Sequence, residues 1–248
     1  MTDQHKSTGP CEGLAKLQQA LRKNRRDAHH RYFQLATVAA DGAPRNRTVV
    51  FRGFAPQEDG LLVITDTRSE KMAELSAQCR AEVAWYFTHT REQFRLRVRV
   101  NAITPDEQDA GLLALRERVW TGLSDPAREQ FFWRSPGSPL GEGERPAVGA
   151  GLPGTFAVLV LQPDYIDHLV LAKVQTRHLS RFDHGDWHEL AQPLNGTGAT
   201  CYEPGPEPAA GQPAIAATPV CRSPGHLAVA GGWASDQRRC LAADGAGP

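Results

Sequence analysis

The chain has 248 residues, enough for one or two domains, and its 28 basic and 28 acidic side chains give a formal net charge of zero at pH 7. A neutral chain is not drawn by its overall charge to nucleic acid or to an anionic membrane surface, so neither partner is expected. The sequence also lacks a run of about 18 apolar residues, so no transmembrane helix is expected.

The cysteines and histidines favour neither a disulfide scaffold nor a metal site. Five cysteines lie far apart without a CxxC pair, and none of the nine histidines has the spacing of a metal ligand to a cysteine or a carboxylate. The N-terminal residues 1–13 have no apolar stretch of the kind found in secretory signals. We therefore expect a protein of the reducing cytoplasm with no bound metal.

Composition divides the chain into two parts. Residues 1–195 carry periodic apolar patterns, whereas 28 of the last 53 residues are Gly, Pro or Ala. Such a segment buries too little apolar area to offset the backbone entropy that ordering would cost, about 1–2 kcal/mol per residue. We predict one folded domain over 1–195 and a disordered tail over 196–248.

The first half of the domain begins with a helix over 12–27, in which leucines recur at spacings of three and four. A β meander follows, and Ser69 is the expected N-cap of a helix that interrupts it. The fifth of its strands alternates strictly between apolar residues and Arg95, Arg97 and Arg99, which indicates one buried face. The predicted strands are 33–38, 45–51, 61–65, 81–87 and 93–100.

The second half contains two predicted helices and a further set of strands. Thr104 followed by Pro105 indicates a helix start, and we expect helices over 105–118 and 124–133. A Pro/Gly-rich loop is expected over 134–154. Many short strands at short spacing indicate a small antiparallel barrel. The remaining strands are predicted at 156–161, 166–171 and 177–182, with a last one beginning near Trp187.

Several catalytic and nucleotide-binding motifs are absent. There is no GxGxxG after a strand, no GxxxxGK[ST], no HExxH and no GxSxG. These absences argue against a Rossmann unit, a P-loop, a zinc protease and an α/β-hydrolase. No catalytic acid or base can be identified.

Basic and hydroxyl side chains gather instead at strand ends. Residues 65–71 join a strand to a helix, and the unpaired N–H groups of a helix start favour an anion. With Arg68, Ser69 and Lys71 this segment could cradle a phosphate. The alternative is that Ser69 only caps the helix and the two cations are solvated.

Three other features allow both a functional and a structural interpretation. Arg45 and Arg47 share one face of a strand, where they could bind a phosphate or merely protect an exposed edge. Gln93 begins the alternating strand, and its amide could pair with the polar edge of a heteroaromatic ring. The face with Arg95, Arg97 and Arg99 could meet nucleic acid, an interpretation that zero net charge disfavours.

These clusters, in this order, resemble the pyridoxamine 5'-phosphate oxidase-like flavoproteins. The similarity covers about residues 14–195. The features that carry it are Leu35–Val38, Asp41–Gly42, Pro44–Phe54, Thr65 with Ser69–Lys71, Arg91–Arg95, Trp120, Phe131–Trp133, Pro136–Gly137, Asp167, Arg177 and Trp187.

The resemblance implies an FMN-binding split β-barrel, mainly β with flanking helices and with six or more antiparallel strands. It also implies a homodimer with FMN at the interface and an oxidoreductase acting on a small molecule. Arg177 would approach FMN from the partner chain. The residues expected to bind FMN are Arg47, Thr48, Val49, Val50, Arg52, Thr65, Arg68, Ser69, Lys71, Gln93 and Arg177.

The chain also departs from the true oxidases of that family. Glu70 stands where an arginine usually precedes the lysine, and Leu169 stands where the oxidases carry an aromatic residue. The stretch 173–176 lacks their substrate-binding histidine, and Pro136-Gly137 replaces a Gln-Ser pair. Genuine pyridoxamine 5'-phosphate oxidase activity and a non-enzymatic flavin-binding role therefore remain as alternatives, and the sequence does not distinguish FMN from another flavin or a deazaflavin.

Overall fold

The computed structural model describes residues 6–7, 11–56, 60–135 and 151–193. The predicted tail, 196–248, and most of the predicted loop, 134–154, lie outside these residues, as does Pro136-Gly137. No helix in the described part of the chain is long and apolar enough to cross a membrane.

Nine strands and four α-helices make up the described structure. The strands are β1 (Lys6–Ser7), β2 (Tyr32–Val38), β3 (Pro44–Phe54), β4 (Leu61–Asp66), β5 (Arg80–Phe87), β6 (Glu92–Ile103), β7 (Phe156–Val170), β8 (Thr176–Asp183) and β9 (Asp186–Pro193). The helices are α1 (Glu12–Lys23), α2 (Glu70–Ala77), α3 (Ala110–Thr121) and α4 (Asp125–Glu129), with 3-10 turns at Ala28–Arg31 and Gln130–Phe132.

Six antiparallel strands close into a barrel in the order β2, β3, β4, β7, β6, β5. The long strand β7 pairs with two strands along one edge, with β4 at Phe156–Leu161 and with β8 at Tyr165–Val170. Its other edge pairs with β6 from Val158 to Val170. The short strands β8, β9 and β1 extend the sheet outward from the barrel.

Alternating side chains fill the barrel interior, and α1 and α2 add to the same core through Leu14, Leu17 and Leu75. A second apolar cluster lies outside the barrel, where α3 and the turn after α4 pack against β4 and β7 through Leu115, Trp120 and Phe131. Burying the two apolar faces of β4 and β7 therefore requires both the barrel core and the covering helices.

The predicted elements are confirmed in kind, but several boundaries were wrong, among them the end of α4, which lies at Glu129 and not at residue 133. Helix α1 ends at Lys23, not at residue 27. Helix α3 begins at Ala110, because Asp109 caps it by accepting a hydrogen bond of 2.9 Å from the Leu112 amide. The two strands predicted over 156–171 are one strand, in which a bulge places Asp164 as an extra residue opposite β6.

Candidate functional site

No side chain caps the start of α2. Ser69 occupies the N-cap position, but its hydroxyl makes no capping bond and donates instead to the Asp66 carbonyl at 2.7 Å. The predicted N-cap position of Ser69 is confirmed, but its side chain makes no capping hydrogen bond. The first amide groups of α2 remain available to an anion, which the helix dipole also favours.

Lys71 points its ammonium group into this turn. Its Nζ donates to Thr65 Oγ1 at 2.9 Å and to Ser69 Oγ at 3.1 Å, and the two hydroxyl oxygens are 3.1 Å apart. An ammonium group has three protons. Among the described residues no acceptor takes the third one, so Lys71 can still donate to a ligand.

Arg47 reaches the same region from β3. Its Nη1 donates to Thr37 Oγ1 and, at 3.3 Å, to the Leu35 carbonyl, while its Nη2 lies 2.6 Å from Glu74 Oε2. Thr37 also donates to that carboxylate, at 2.5 Å. In the described part of the chain no group accepts from Arg47 Nε. We name the group Arg47, Thr65, Ser69, Lys71 and Glu74 the basin.

The charges in the basin favour an incoming anion. Burial, and then the repulsion from Arg47, lower the pKa of the Lys71 ammonium. Burial alone would raise the pKa of Glu74, but its hydrogen bonds from Thr37 and Arg47 outweigh burial and lower it. Two partly buried cations with unused donors thus lie near each other, and a phosphate dianion would satisfy both. The donor set fits the phosphate of FMN.

Arg68 and Glu70 lie at the edge of the basin. Arg68 forms a forked ion pair with Asp66, with contacts of 2.6 and 2.9 Å, and donates to the Trp133 carbonyl at 3.0 Å. Binding a phosphate through Arg68 would require giving up part of this network. Glu70 is exposed on the first turn of α2 and lies outside the basin's hydrogen bonds.

Strand β3 leads from the basin to a second recess. Over the five residues from Arg47 to Arg52 an extended strand covers about 17 Å. Val49 is buried in the barrel core, so only its backbone could touch an outside ligand. Thr48 is exposed and Val50 half-buried on the opposite face of the strand.

Arg52 is set apart from the basin. It is the extra residue of a β-bulge, since Phe51 pairs with Val63 and Gly53 with Leu62. It lines a recess of about 270 Å³ together with Arg31 and Arg118. Apolar groups of this recess come from Phe54, Leu62, Val119 and Leu123.

The three guanidinium groups of this recess have no acidic partner among the described residues. Arg52 Nε is buried without a hydrogen-bond acceptor in that part of the chain. Burial, and then the neighbouring charge of Arg31, lower the pKa of Arg52. The recess therefore has positive charge without an acidic partner among the described residues, next to apolar surface, which is suited to an organic anion.

Gln93 and Arg177 lie together on another face of the molecule. Gln93 pairs with Leu169 across β6 and β7, and Leu169 pairs with Arg177 across β7 and β8, so the three form one row. Arg177 is held by Asp167 through contacts of 2.8 and 2.9 Å. Tyr86, opposite Gln93 on β5, is 46% exposed. We call these residues the outer row.

The structure thus brings together Arg47, Thr65, Ser69 and Lys71, with Arg68 at their edge, and separates them from Arg52 and from the outer row. The sequence analysis missed Glu74, Thr37, Arg31 and Arg118. Glu74 had one available signal, since it lies three residues after Lys71 and so shares its helix face. Arg31 and Arg118 had no such signal in the sequence, because only the fold brings them beside Arg52.

No cluster of three or more metal-ligating side chains occurs among the residues described here.

Comparison with known proteins decides the family. Residues 14–104 match the family described as pyridoxamine 5'-phosphate oxidase, FMN-binding domain. Pyridoxine/pyridoxamine 5'-phosphate oxidase 2 of Arabidopsis thaliana is 33% identical over 188 residues, which are 74% of this chain and 89% of the plant protein. The chain belongs to the pyridoxamine 5'-phosphate oxidase-like family of FMN-binding proteins.

Two solved structures have the same barrel. A pyridoxamine 5'-phosphate oxidase-related, FMN binding protein from Nostoc punctiforme is 40% identical, with a TM-score of 0.68, over 72% of this chain and 95% of its own. PhzG from Burkholderia lata, solved with tetrahydrophenazine-1-carboxylic acid, is 19% identical with a TM-score of 0.63 over 75% of this chain and 94% of its own, a likeness of fold alone. The predicted split barrel is confirmed.

Proposed function

We propose that this protein binds FMN with the phosphate in the basin. The observation that carries the proposal is the pair of cations, Lys71 and Arg47, which lie close enough for Arg47 to lower the pKa of Lys71 and which both keep unused donors near the start of α2. Lys71 and Thr65 would hold one side of the phosphate, and Arg47 Nε the other. The name of the Nostoc relative, an FMN binding protein, supports the same cofactor.

The rest of the cofactor would follow β3 outward from the basin. Thr48 and Val50 lie on the outward face of that strand, and the backbone of Val49 runs between them. The Gln93 amide offers a donor and an acceptor for the polar edge of the flavin ring. When bound, FMN supplies hydride or single-electron transfer, and the side chains supply only binding and orientation.

We further propose a homodimer, in which the outer row of one subunit completes the flavin site of the other. Within one subunit Arg177 lies on β8, beyond the barrel strands that carry the basin, so its part in that site is expected to come from the partner. Tyr86 is exposed and Leu169 half-buried on this face, and Asp167 holds Arg177 in place.

The recess at Arg52 is the proposed site for a small anionic substrate. Its three guanidinium groups and apolar walls suit a phosphorylated or carboxylated ring compound. The names of the plant and bacterial relatives favour oxidation of pyridoxine or pyridoxamine 5'-phosphate. Against that specific substrate stand Leu169 and the absence of a histidine in residues 173–176. We therefore propose an FMN-dependent oxidoreductase of a small anion, with pyridoxamine 5'-phosphate as the first compound to test.

The absorption spectrum of the purified protein tests the cofactor. Flavin bands, and FMN as the compound released on heating, are the expected result. A colourless protein that does not quench the fluorescence of added FMN would contradict the proposal. Oxygen consumption with pyridoxamine 5'-phosphate then separates the alternatives, because a flavin-loaded protein without turnover would be either a non-enzymatic binder or an enzyme for another substrate.

A further inference from the structure

Glu74 is the one acidic group built into the basin, and simple electrostatics would assign it an unfavourable role. It is 8% exposed, it lies one helical turn after Lys71, and a carboxylate near a phosphate site repels the ligand. Its contacts indicate a different role. One oxygen, Oε2, accepts from both Thr37 Oγ1 at 2.5 Å and Arg47 Nη2 at 2.6 Å, so this oxygen is engaged by the protein itself.

The same contacts fix the guanidinium of Arg47. Its Nη1 is held by Thr37 and the Leu35 carbonyl, and its Nη2 by Glu74, so three of its contacts lie on one edge. A free arginine side chain has many rotamers, and ordering it on binding would cost affinity. With three of the five N–H groups of Arg47 engaged, Nε and one N–H of Nη2 are left as donors for a ligand.

We propose that Glu74 is a positioning residue, which holds Arg47 so that its two remaining donors face the flavin phosphate. This inference rests on the proposed function, because it concerns the same basin. It predicts a result of unexpected sign: removing a negative charge from beside a phosphate site weakens phosphate binding. It also predicts that the effect is specific to the phosphate, since Arg47 is not expected to touch the ring.

Fluorescence titration with FMN and with riboflavin, which lacks the phosphate, tests the inference in the full chain. Glu74→Gln should raise the Kd for FMN about tenfold, equivalent to about 1.4 kcal/mol, and leave that for riboflavin within about twofold. Glu70→Gln is the matched control, because it removes the same charge from the exposed first turn of α2. It should bind FMN as well as the wild type or slightly better.

Two further variants show whether Glu74 acts through Arg47. In an Arg47→Met background, Glu74→Gln should cause no further loss of FMN affinity. Thr37→Val, which removes the hydroxyl shared by both side chains, should weaken FMN and spare riboflavin. If Glu74→Gln does not fold, this second variant decides the question.

The inference is overturned if Glu74→Gln binds FMN as tightly as the wild type or more tightly. It is equally overturned if FMN and riboflavin weaken together, if the loss persists without Arg47, or if Thr37→Val leaves FMN affinity unchanged. These outcomes differ from a failure of the proposed function, in which the wild-type protein itself would not bind FMN.

Discussion

Replacing Lys71 with methionine removes the central cation of the basin while keeping the length of the side chain. In the free protein its ammonium has two hydroxyl partners and one unused proton. A hydrogen bond between charged groups contributes about 1.5–3 kcal/mol. The loss of one such bond to the phosphate should raise the Kd for FMN about 10- to 150-fold.

The same substitution should not harm the free protein. Burial and the repulsion from Arg47 lower the pKa of Lys71, so the folded protein disfavours this charge before FMN binds. Methionine removes the repulsion and packs its thioether near Thr65 and Ser69. We therefore expect Lys71→Met to melt at the same temperature as the wild type or higher, while its affinity for FMN falls.

Fluorescence titration and thermal melting of the flavin-free protein measure the two effects. Lys23→Met is the matched control, because Lys23 is exposed at the end of α1, and neither quantity should change. Riboflavin affinity should also be unchanged in Lys71→Met. The phosphate assignment would be refuted if the variant bound FMN within twofold of the wild type, or if riboflavin binding fell by the same factor.

Three other predictions address the remaining parts of the molecule. Arg52→Met should weaken binding of pyridoxamine 5'-phosphate about tenfold and leave the affinity for FMN unchanged. If pyridoxamine 5'-phosphate quenched the protein fluorescence equally in the wild type and the variant, the recess would be excluded as the site of that compound. Leu169→Arg should convert a dimer to a monomer in analytical ultracentrifugation; unchanged sedimentation would argue against the outer row as the dimer face. Burial lowers the pKa of His168, so its proton binds less readily in the folded than in the unfolded protein. The free energy of unfolding in urea should therefore fall as the pH drops below 6.5, by at most about 1.4 kcal/mol per pH unit. His168→Gln should flatten this pH dependence. An equal pH dependence in the wild type and the variant would contradict the role of His168.

Strands with a strong period of two were predicted well because their burial pattern is local. The strand β6 alternates from Phe94 to Val100, and the barrel interior lies on the predicted side. Interruptions of the hydrogen-bonding ladder between strands were harder to predict from the sequence. A bulge at Asp164 interrupts the alternation of β7, so that one strand looked like two.

The basin was predictable only in part. A strand that ends in hydroxyl and basic residues before a helix is a local pattern, and Thr65, Ser69 and Lys71 do meet there. Glu74 could not be assigned a role from the sequence, because its partners Thr37 and Arg47 are distant along the chain. Which cations share a recess, and which are already paired, depends on strand register.

The bulge at Arg52 has a consequence for how such barrels diversify. Gly53, with φ of +134°, accommodates a backbone that other residues rarely adopt. Deletion of one residue at this bulge would restore uninterrupted pairing between β3 and β4 and would take Arg52 out of its recess. The start of α2 would not move. In the proposed function, the recognition of a reactant and the retention of a coenzyme would thus be encoded in separable stretches of chain, so that new substrates could be acquired while the redox group stays in place.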